Sequence, residues 1–355
     1  MNAKKLPELL DVDIVIIWNP GEWQRDPNFF YVTQLTEGLH EGSIAIVSEQ
    51  GVKVLTSQLE EGLVRKAGLD AVVVSGPEDL KNKLKETAKN AKRIGYVGKV
   101  LPVSYYKLLG EIFNGIELVD VSQGLQKLRM IKSDEEIARI VKACDLITDV
   151  MRLVPEMLSE DISENEIAAR IIYEITKRGG KPAFEPIVAF EENAADPHYF
   201  HGKRTLKKDE IVLVDIGANV SLYNSDITRT MVFGKWTPEK KDVFETVLQA
   251  QQEAIDAIQP GVHGSEIHKV AESIINKKYP GRFIHGLGHG LGIAVHDPGG
   301  LSPYRDIVLE PGMVLTVEPG IYLPRKFGIR IEDDILVTKS GAKVLTNIPK
   351  KLMGP

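Results

Sequence analysis

Four acidic residues and one histidine have types and spacing that suit the binding of divalent metal ions. They are spread over the C-terminal part of the chain: Asp215, Asp226, His289, Glu318 and Glu332. Four carboxylates and one imidazole can hold two cations close together, and such a pair activates water as a nucleophile near neutral pH. If the five side chains converge in space, the sequence predicts a two-metal hydrolase.

Three of these carboxylates follow or interrupt apolar runs that are typical of covered strands. Asp215 follows IVLV, Glu318 follows VLTV, and Glu332 separates IRI from a second apolar stretch that includes ILV. An ionised carboxylate in such a place must be paired, hydrogen-bonded or metal-bound. A solvated acid at the end of a strand is the alternative for any one of them, but it explains the whole set poorly.

The segments around the acids also repeat along the chain. IVLVDIG at 211–217 parallels VLTVEPG at 314–320, and each segment is followed by a second acid, Asp226 or Glu332. The spacing between the two acids leaves room for a strand, a turn and a return strand. We therefore expect a duplicated hairpin that places two pairs of acids around a pseudo-twofold axis, with the metal pair between them.

The donor set limits the choice of metal and of cofactor. The chain has one cysteine, Cys144, which excludes a thiolate zinc site and an iron–sulfur cluster. Oxygen and imidazole donors suit Mn²⁺ or Co²⁺, with Zn²⁺ or Fe²⁺ as alternatives. The segment GLGHGLG superficially matches a dinucleotide-binding loop, but residues 293–300 look extended, whereas that loop requires a helix after its glycines.

The layout of the chain favours two domains with an α+β organisation. Its 355 residues with 43% hydrophobic content suffice for two cores. Strand-like and helical segments alternate in residues 1–125, which predicts an α/β domain. Residues 126–355 begin with amphipathic helices, the first capped by Ser133. Four helices are expected there, at about 135–158, 164–178, 238–257 and 264–278.

Composition bears on partners and location. The net charge of −6, with interspersed signs, argues against nucleic-acid binding. No run of eighteen apolar residues occurs, and the first residues lack the layout of a signal peptide. A single cysteine fits a reducing compartment. We expect no membrane association and a cytoplasmic location.

The C-terminal two-thirds resembles the pita-bread dinuclear metallopeptidases, which include methionine aminopeptidase, aminopeptidase P, prolidase and the non-peptidase creatinase. The resemblance rests on the order of the four acids and the one histidine along the chain and on the residues around them. It implies that Asp226 and Glu332 bridge two metals, that Asp215 holds one, and that His289 and Glu318 hold the other. It also implies a homodimer.

The N-terminal domain narrows the resemblance to the prolidase and aminopeptidase P group. Methionine aminopeptidase lacks such a domain, whereas the stretches PNFFYVT at 27–33 and LRMIKSDEEIARI are similar to those of the proline-directed members. Creatinase has lost metal-binding residues that this chain keeps. The resemblance therefore implies hydrolysis of the bond that precedes proline in Xaa-Pro dipeptides, as in prolidase.

The same resemblance assigns roles around the metals. His198, His296 and Glu318 are expected to be catalytic, and a substrate is expected to contact His198, His296, Tyr322, Arg305 and Arg330. A structural hydrogen bond in a loop is the alternative role for each of His198 and His296. Thr228 is expected to hydrogen-bond a ligand carboxylate, with a plain turn residue as the alternative.

The chain departs from the family pattern in two places. Residues 190–192 read FEE where the family commonly has Ser-Gly, so the substrate wall is expected to differ. Archaeal prolidases carry an arginine four positions beyond the histidine matched by His296, which is thought to hold the substrate carboxylate; here that place is Gly300. Arg305 is the candidate replacement, with a solvent-facing turn residue as the alternative.

Two alternatives to a dipeptidase therefore stay open. Without a clamp for the substrate carboxylate the enzyme would be an Xaa-Pro aminopeptidase acting on longer peptides. The non-enzyme alternative is a peptide- or protein-binding relative of the fold, although such relatives usually lose metal ligands and this chain keeps all five.

Overall fold

The computed structural model describes residues 3–21, 25–304 and 306–350. They form two compact units, which divide between Leu128 and Arg129, and the division falls inside a helix, Ser122–Met130. Of the helices in these described residues, none combines the length and the apolar character needed to cross a membrane.

The N-terminal unit is built on one mixed sheet of six strands. Its strands are Ile14–Trp18 (β1), Ile44–Ser48 (β2), Gly51–Thr56 (β3), Asp70–Val73 (β4), Arg93–Tyr96 (β5) and Glu117–Asp120 (β6). The strand order is β4-β3-β2-β1-β5-β6, with β1 antiparallel to β2 and parallel to β5. Its helices are Leu6–Leu9 (α1), Pro27–Thr33 (α2), Glu61–Lys66 (α3), Pro77–Thr87 (α4), Val103–Ile112 (α5) and Ser122–Met130 (α6).

Long helices of the second unit begin where the sequence offers caps. They are Asp134–Met157 (α7), Glu164–Lys177 (α8), Pro238–Ala257 (α9) and Gly264–Lys278 (α10). Ser133 forms the expected N-cap, in a capping box with Glu136, and Ser163 does the same for α8. The side chain of Thr237 caps α9, and Pro238 at its first position completes the start signal. The four expected helices of this unit are confirmed.

The strands of the second unit pair antiparallel throughout the described residues. The first group is Lys181–Pro182 (β7), Ile187–Phe190 (β8), Glu210–Ile216 (β9), Ala218–Val220 (β10), Tyr223–Asn224 (β11) and Ile227–Phe233 (β12). The second group is Gly288–Gly290 (β13), Asp297–Leu301 (β14), Val314–Val317 (β15), Gly320–Leu323 (β16), Phe327–Arg330 (β17), Asp333–Thr338 (β18) and Gly341–Val344 (β19).

The predicted repeat is present, with more structure than a simple hairpin. In the first half β9 pairs with β12, and the small hairpin β10–β11 fills the connection between them. In the second half β15 pairs with β18, and the hairpin β16–β17 fills the connection. Each outer strand pair therefore brings the end of one strand beside the start of the other, where the acids lie.

Strand β9 is covered on both faces, which explains its continuous apolar run. Val212 and Val214 belong to a core formed with α7 and α8. Ile211 and Leu213 belong to a second core that includes α9, α10 and the strands of the second half. Because side chains alternate along a strand, Asp215 continues the face of Ile211 and Leu213.

Candidate metal centre

One cavity of about 640 Å³ contains all five predicted ligands. Its lining also includes the histidines at 198, 285 and 296 and Arg330, together with a wall of small residues at 286, 288, 299 and 300. The predicted convergence of the five side chains is thus observed in the structure. Asp215, Asp226 and Glu332 are buried, whereas His289 and Glu318 are half-buried.

The ligand atoms of Asp226, His289 and Glu332 form the tightest group. They all lie within 4.8 Å of one another. The Nε2 atom of His289 is 3.7 Å from Oδ2 of Asp226 and 3.5 Å from Oε1 of Glu318. These separations leave room for a cation among the donor atoms, since metal–donor distances for such groups are about 2.0–2.2 Å.

A backbone hydrogen bond orients the His289 ring. Its Nδ1 lies 3.1 Å from the carbonyl oxygen of Gly290. A carbonyl oxygen only accepts, so Nδ1 carries the proton and Nε2 presents its lone pair to Asp226 and Glu318. This is the tautomer that a metal-binding imidazole requires.

Glycines on either side of His289 are required by close backbone packing. A Cβ atom on Gly288 would lie 1.9 Å from the carbonyl oxygen of Thr316, and one on Gly290 would lie 2.1 Å from that of Pro298. The glycines let β13 approach its neighbours closely, rather than leaving space for a ligand. No helix follows them: residues 291–296 bend and β14 begins at Asp297. The helix that a dinucleotide-binding loop requires is thus replaced by a bend and a strand.

Thr228 connects the two halves of the repeat at the site. It pairs directly with Asp215 across β9 and β12. Its hydroxyl donates to Oε2 of Glu332 at 2.6 Å and accepts from Nε of Arg330 at 3.2 Å. The backbone N–H of Glu332 in turn donates to the Thr228 carbonyl oxygen at 3.1 Å. The expected bond from Thr228 to an acid of the site is present, and it fixes the orientation of that carboxylate.

Arg330 is buried and its guanidinium group is fully engaged with the protein. It pairs with Oδ2 of Asp215 through Nη2, and its Nη1 donates to the Tyr322 hydroxyl at 2.9 Å and, more weakly, to the Pro197 carbonyl oxygen at 3.5 Å. Burial and this set of partners leave Arg330 to hold Asp215 at the cavity wall. The pKa of Arg330 lies well above its ordinary value, because nearby Tyr322, Asp215 and Glu318 outweigh the effect of burial.

Tyr322 lies behind the cavity wall, although the sequence predicted a contact with substrate. Its side chain is buried and its hydroxyl lies between Arg330 and Nε2 of His285, 2.9 Å from each. Nδ1 of His285 faces the carbonyl oxygen of Gly286 at 2.8 Å and therefore carries the proton, so Nε2 accepts from Tyr322. Tyr322 thus acts on Arg330 rather than lining the cavity.

Burial and neighbouring acids shift the pKa values of the acidic side chains at the site. Burial, reinforced by Glu332, Asp215 and other acids, holds the pKa of Asp226 well above its usual range. Burial raises the pKa of Glu318 to about 8 and that of Glu332 well above normal, with Glu318 as the first neighbouring cause for Glu332. Burial also lowers the pKa of His289 to about 3. Burial therefore favours the protonated forms of Asp226, Glu318 and Glu332, and a bound cation would favour their ionised forms.

Two buried oxygen atoms at the site are suited to binding a cation. Within the described part of the chain, Oδ1 of Asp215 and Oδ1 of Asp226 have no hydrogen-bond partner. Buried carboxylate oxygens that lack donors are costly unless a cation compensates them. Together with the oxygen-rich donor set, they suit divalent ions such as Mn²⁺ or Co²⁺.

Two exposed histidines line the cavity beside the metal-binding candidates, and two others lie elsewhere in the unit. His198 and His296 are exposed and line the cavity, and the His296 ring packs edge-on against His289 with 4.2 Å between centroids. Burial and the neighbouring His198 lower the pKa of His296. His201 instead lies between Glu185 and the side chain of Asn165. His268, on α10, is buried and its ring stacks on that of Phe283.

The two departures from the family pattern have different outcomes. Glu191 adopts a left-handed backbone conformation (φ of 43°), and its carboxylate binds Lys240 Nζ and the Ile211 N–H at 2.7 Å. Glu192 pairs with Arg204. Both acids thus tie the segment to its neighbours. Gly300, at the other departure, lines the cavity, and Arg305, the predicted carboxylate clamp, lies outside the described residues.

Sequence reasoning missed a layer of buried charge behind the site. Arg229 pairs with Asp333 at 2.7 Å and also donates to the carbonyl oxygen of Glu332. Asp334 accepts the backbone N–H of Asp226 at 2.8 Å and the thiol of Cys144 at 3.3 Å. The consecutive acids at 332–334 beside an apolar strand were the available signal, since solvent-facing acids would alternate with apolar residues.

Comparisons with protein-family models match both parts of the chain. Metallopeptidase family M24 matches residues 138–339. The creatinase/prolidase N-terminal domain matches residues 3–131.

Individual relatives match over nearly the whole length. A protein named Xaa-Pro dipeptidase from Pyrococcus horikoshii is 34% identical over 99% of this chain and 98% of its own length. The prolidase structure from the same organism has a TM-score of 0.90 at 31% identity, covering 99% of both chains. An X-Pro aminopeptidase structure from Thermotoga maritima has a TM-score of 0.90 at 29% identity, covering 98% of this chain and 99% of that one. This chain is a member of metallopeptidase family M24, with a creatinase/prolidase N-terminal domain.

Proposed function

We propose that this chain hydrolyses the peptide bond that precedes proline in Xaa-Pro dipeptides. The observation that carries the proposal is the clustering of the five donor residues in one cavity of an M24 peptidase. Full-length similarity to a protein named Xaa-Pro dipeptidase supports the substrate class.

In this proposal two divalent ions, Mn²⁺ or Co²⁺, are held by the five donor residues, with Zn²⁺ or Fe²⁺ as alternatives. The ligands are Asp215, Asp226, His289, Glu318 and Glu332. Bound divalent cations supply Lewis acidity, which lowers the pKa of water and polarises a carbonyl oxygen. The bond from Thr228 keeps Glu332 in place, and Arg330 with Tyr322 behind it keeps Asp215 in place.

The histidines at the open side of the cavity handle the substrate. Proline nitrogen in an Xaa-Pro bond carries no hydrogen, so it must gain a proton as the bond breaks. His296 has a lowered pKa and is neutral near pH 7, so it can donate a hydrogen bond to the carbonyl oxygen, or relay to the proline nitrogen the proton that the attacking water gives up. His198 contacts the peptide from the same side, and Glu318 accepts the proton that the attacking water loses.

A second candidate function is that of an Xaa-Pro aminopeptidase. Among the cavity-lining residues that the structure describes, Arg330 is the one arginine or lysine, and Asp215 already neutralises it. The family position for a carboxylate clamp is Gly300. If Arg305 does not take over that task, the site has no preference for a free carboxylate after proline.

The test is to assay the Mn²⁺- or Co²⁺-loaded protein on Met-Pro beside the tripeptide Met-Pro-Ala, with Glu318→Ala as the control. We expect cleavage of Met-Pro and its loss in the Glu318→Ala variant. Preference for Met-Pro-Ala would establish the aminopeptidase instead. Failure to cleave either peptide, with metal bound, would contradict the substrate class.

We also propose that the protein is a cytoplasmic homodimer, as the family resemblance implies. Its single cysteine, Cys144, is buried and forms no disulfide, which fits a reducing compartment. Size-exclusion chromatography with light scattering tests the dimer directly.

A further inference from the structure

Outside the metal centre, one buried carboxylate holds the segment that carries His198. Glu164 is the first residue of α8 and its side chain is inaccessible to solvent. It accepts hydrogen bonds from four residues of a single segment: Phe190, Asn193, Tyr199 and Gly202. The helix start is therefore one attachment point of residues 190–202.

The four donors occupy both oxygens of the carboxylate. Oε1 of Glu164 accepts the N–H of Phe190 at 2.8 Å and the side-chain amide of Asn193 at 2.9 Å. Oε2 accepts the hydroxyl of Tyr199 at 2.7 Å and the N–H of Gly202 at 3.0 Å. A carboxylate has about four acceptor positions, so this arrangement saturates it. An amide in its place would offer N–H groups to two of the four donors.

His198 lies within this segment and depends on it for its position. The residue is exposed and lines the cavity, and its backbone N–H donates to Oδ1 of Asp196 within the same segment at 3.2 Å. The neighbouring Tyr199 is fixed by its hydrogen bond to Glu164, and the neighbouring Pro197 carbonyl accepts from Arg330 at 3.5 Å. Of these two attachments the bond to Glu164 is the shorter by far.

The chemistry of the Tyr199 bond favours a fixed geometry. Burial and the hydrogen bond to Glu164 raise the pKa of Tyr199 to about 12, so the phenol keeps its proton and donates it throughout the neutral range. Hydrogen bonds to an ionised acceptor are shorter and about twice as strong as neutral ones.

We propose that Glu164 is a positioning residue, which fixes His198 against the peptide substrate through Tyr199 and the backbone of residues 190–202. The proposal rests on the proposed function, because the role of His198 belongs to it. Glu164 precedes His198 by more than thirty positions in sequence, and it does not line the cavity.

The kinetic test uses Tyr199→Phe, which removes one hydroxyl and keeps the ring. The matched control is Tyr279→Phe, because the Tyr279 hydroxyl donates to Asp242 at 2.6 Å in the same unit but away from the cavity. We expect Tyr199→Phe to lower kcat/KM on Met-Pro by about tenfold, since small misplacements of catalytic groups are costly. Tyr279→Phe should leave it unchanged, and bound metal should be the same in both.

A double-mutant cycle separates positioning from general destabilisation. In a His198→Ala background, Tyr199→Phe should lower kcat/KM by less than about twofold, because the group that it positions is absent. An unchanged kcat/KM for Tyr199→Phe alone, or an equal loss in the two backgrounds, would overturn the proposal. Glu164→Gln should show a larger effect than Tyr199→Phe if it folds.

A readout without activity keeps this test independent of the substrate assignment. The His198 ring signals, identified in an NMR spectrum of histidine-labelled protein by their loss in His198→Ala, should shift or broaden in Tyr199→Phe and stay in place in Tyr279→Phe. Unmoved signals would overturn the positioning role. If the wild type cleaves no Xaa-Pro peptide while the signals move, the proposed function fails and the positioning of His198 stands.

Discussion

Removal of the Thr228 hydroxyl should weaken metal binding without opening a cavity. The side chain is fully buried, and valine has nearly the same shape, so Thr228→Val deletes polar contacts alone. The deleted contacts are the 2.6 Å bond to Glu332 and the acceptor for Arg330 at 3.2 Å. A hydrogen bond to a charged group contributes about 1.5–3 kcal/mol. Because about 1.4 kcal/mol corresponds to tenfold in affinity, the dissociation constant for Mn²⁺ should rise about 10- to 100-fold.

The assay is a competition between the metal-free protein and a fluorescent chelator. Thr228→Ser keeps the hydroxyl and should stay within about threefold of the wild type. Thr246→Val is the matched control, since it removes a buried hydroxyl that donates to the Asp242 carbonyl oxygen at 2.7 Å on α9. Metal affinity in Thr228→Val equal to that of the wild type would refute the view that this bond orients Glu332.

Three further predictions concern the substrate, pH and assembly. Arg305→Ala should raise KM for Met-Pro by about tenfold or more but change that for Met-Pro-Ala little, because only the dipeptide offers a carboxylate next to proline; equal effects on both peptides would exclude a clamp. In the metal-free protein the raised pKa of Glu318 favours folding below its ordinary value of 4.5, and that stability is lost as the pH rises through about 8, with Asp226 and Glu332 acting in the same direction. Below about 6.5 the lowered pKa values of His289 and His296 oppose this effect, because these histidines take up protons only on unfolding. The melting temperature of the metal-free protein should therefore fall between about pH 6.5 and 8, and saturating Mn²⁺ should abolish the fall, as calorimetry would show; a flat profile in that range without metal contradicts the burial argument. Light scattering at micromolar concentration should give twice the mass of 39.3 kDa, whereas a monomer mass would refute the homodimer.

Much of the second unit was predictable because local signals and tertiary packing agree there. Helix α9 matches its expected range because Thr237 and Pro238 mark its start. Helix α10 matches because an amphipathic pattern begins at Gly264. The acids were predictable for a related reason: a carboxylate next to a doubly covered strand needs a compensating partner. The sequence predicted a covered position for Glu318 and made no such prediction for Asp226. In the structure Asp226 is the more deeply buried of the two.

The supporting contacts were not predictable because they join residues distant in sequence. Nothing local to Tyr322 shows that its hydroxyl lies between Arg330 and His285 rather than in the cavity. The four donors around Glu164 lie 26 to 38 positions away, so no periodic pattern reveals them. The inner hairpin β10–β11 was missed for another reason: its strands are only three and two residues long, too short for an alternating pattern to show.

The most direct test of the central claim is the number of ions that the five donor residues hold. Metal-free protein dialysed against Co²⁺ and analysed by mass spectrometry should contain about two ions per chain, as expected for a dinuclear hydrolase. The same measurement on Glu332→Gln should show the loss of bound metal. A wild-type ratio near zero would contradict the account, because the buried acids around Asp226 would then have no cation to compensate them.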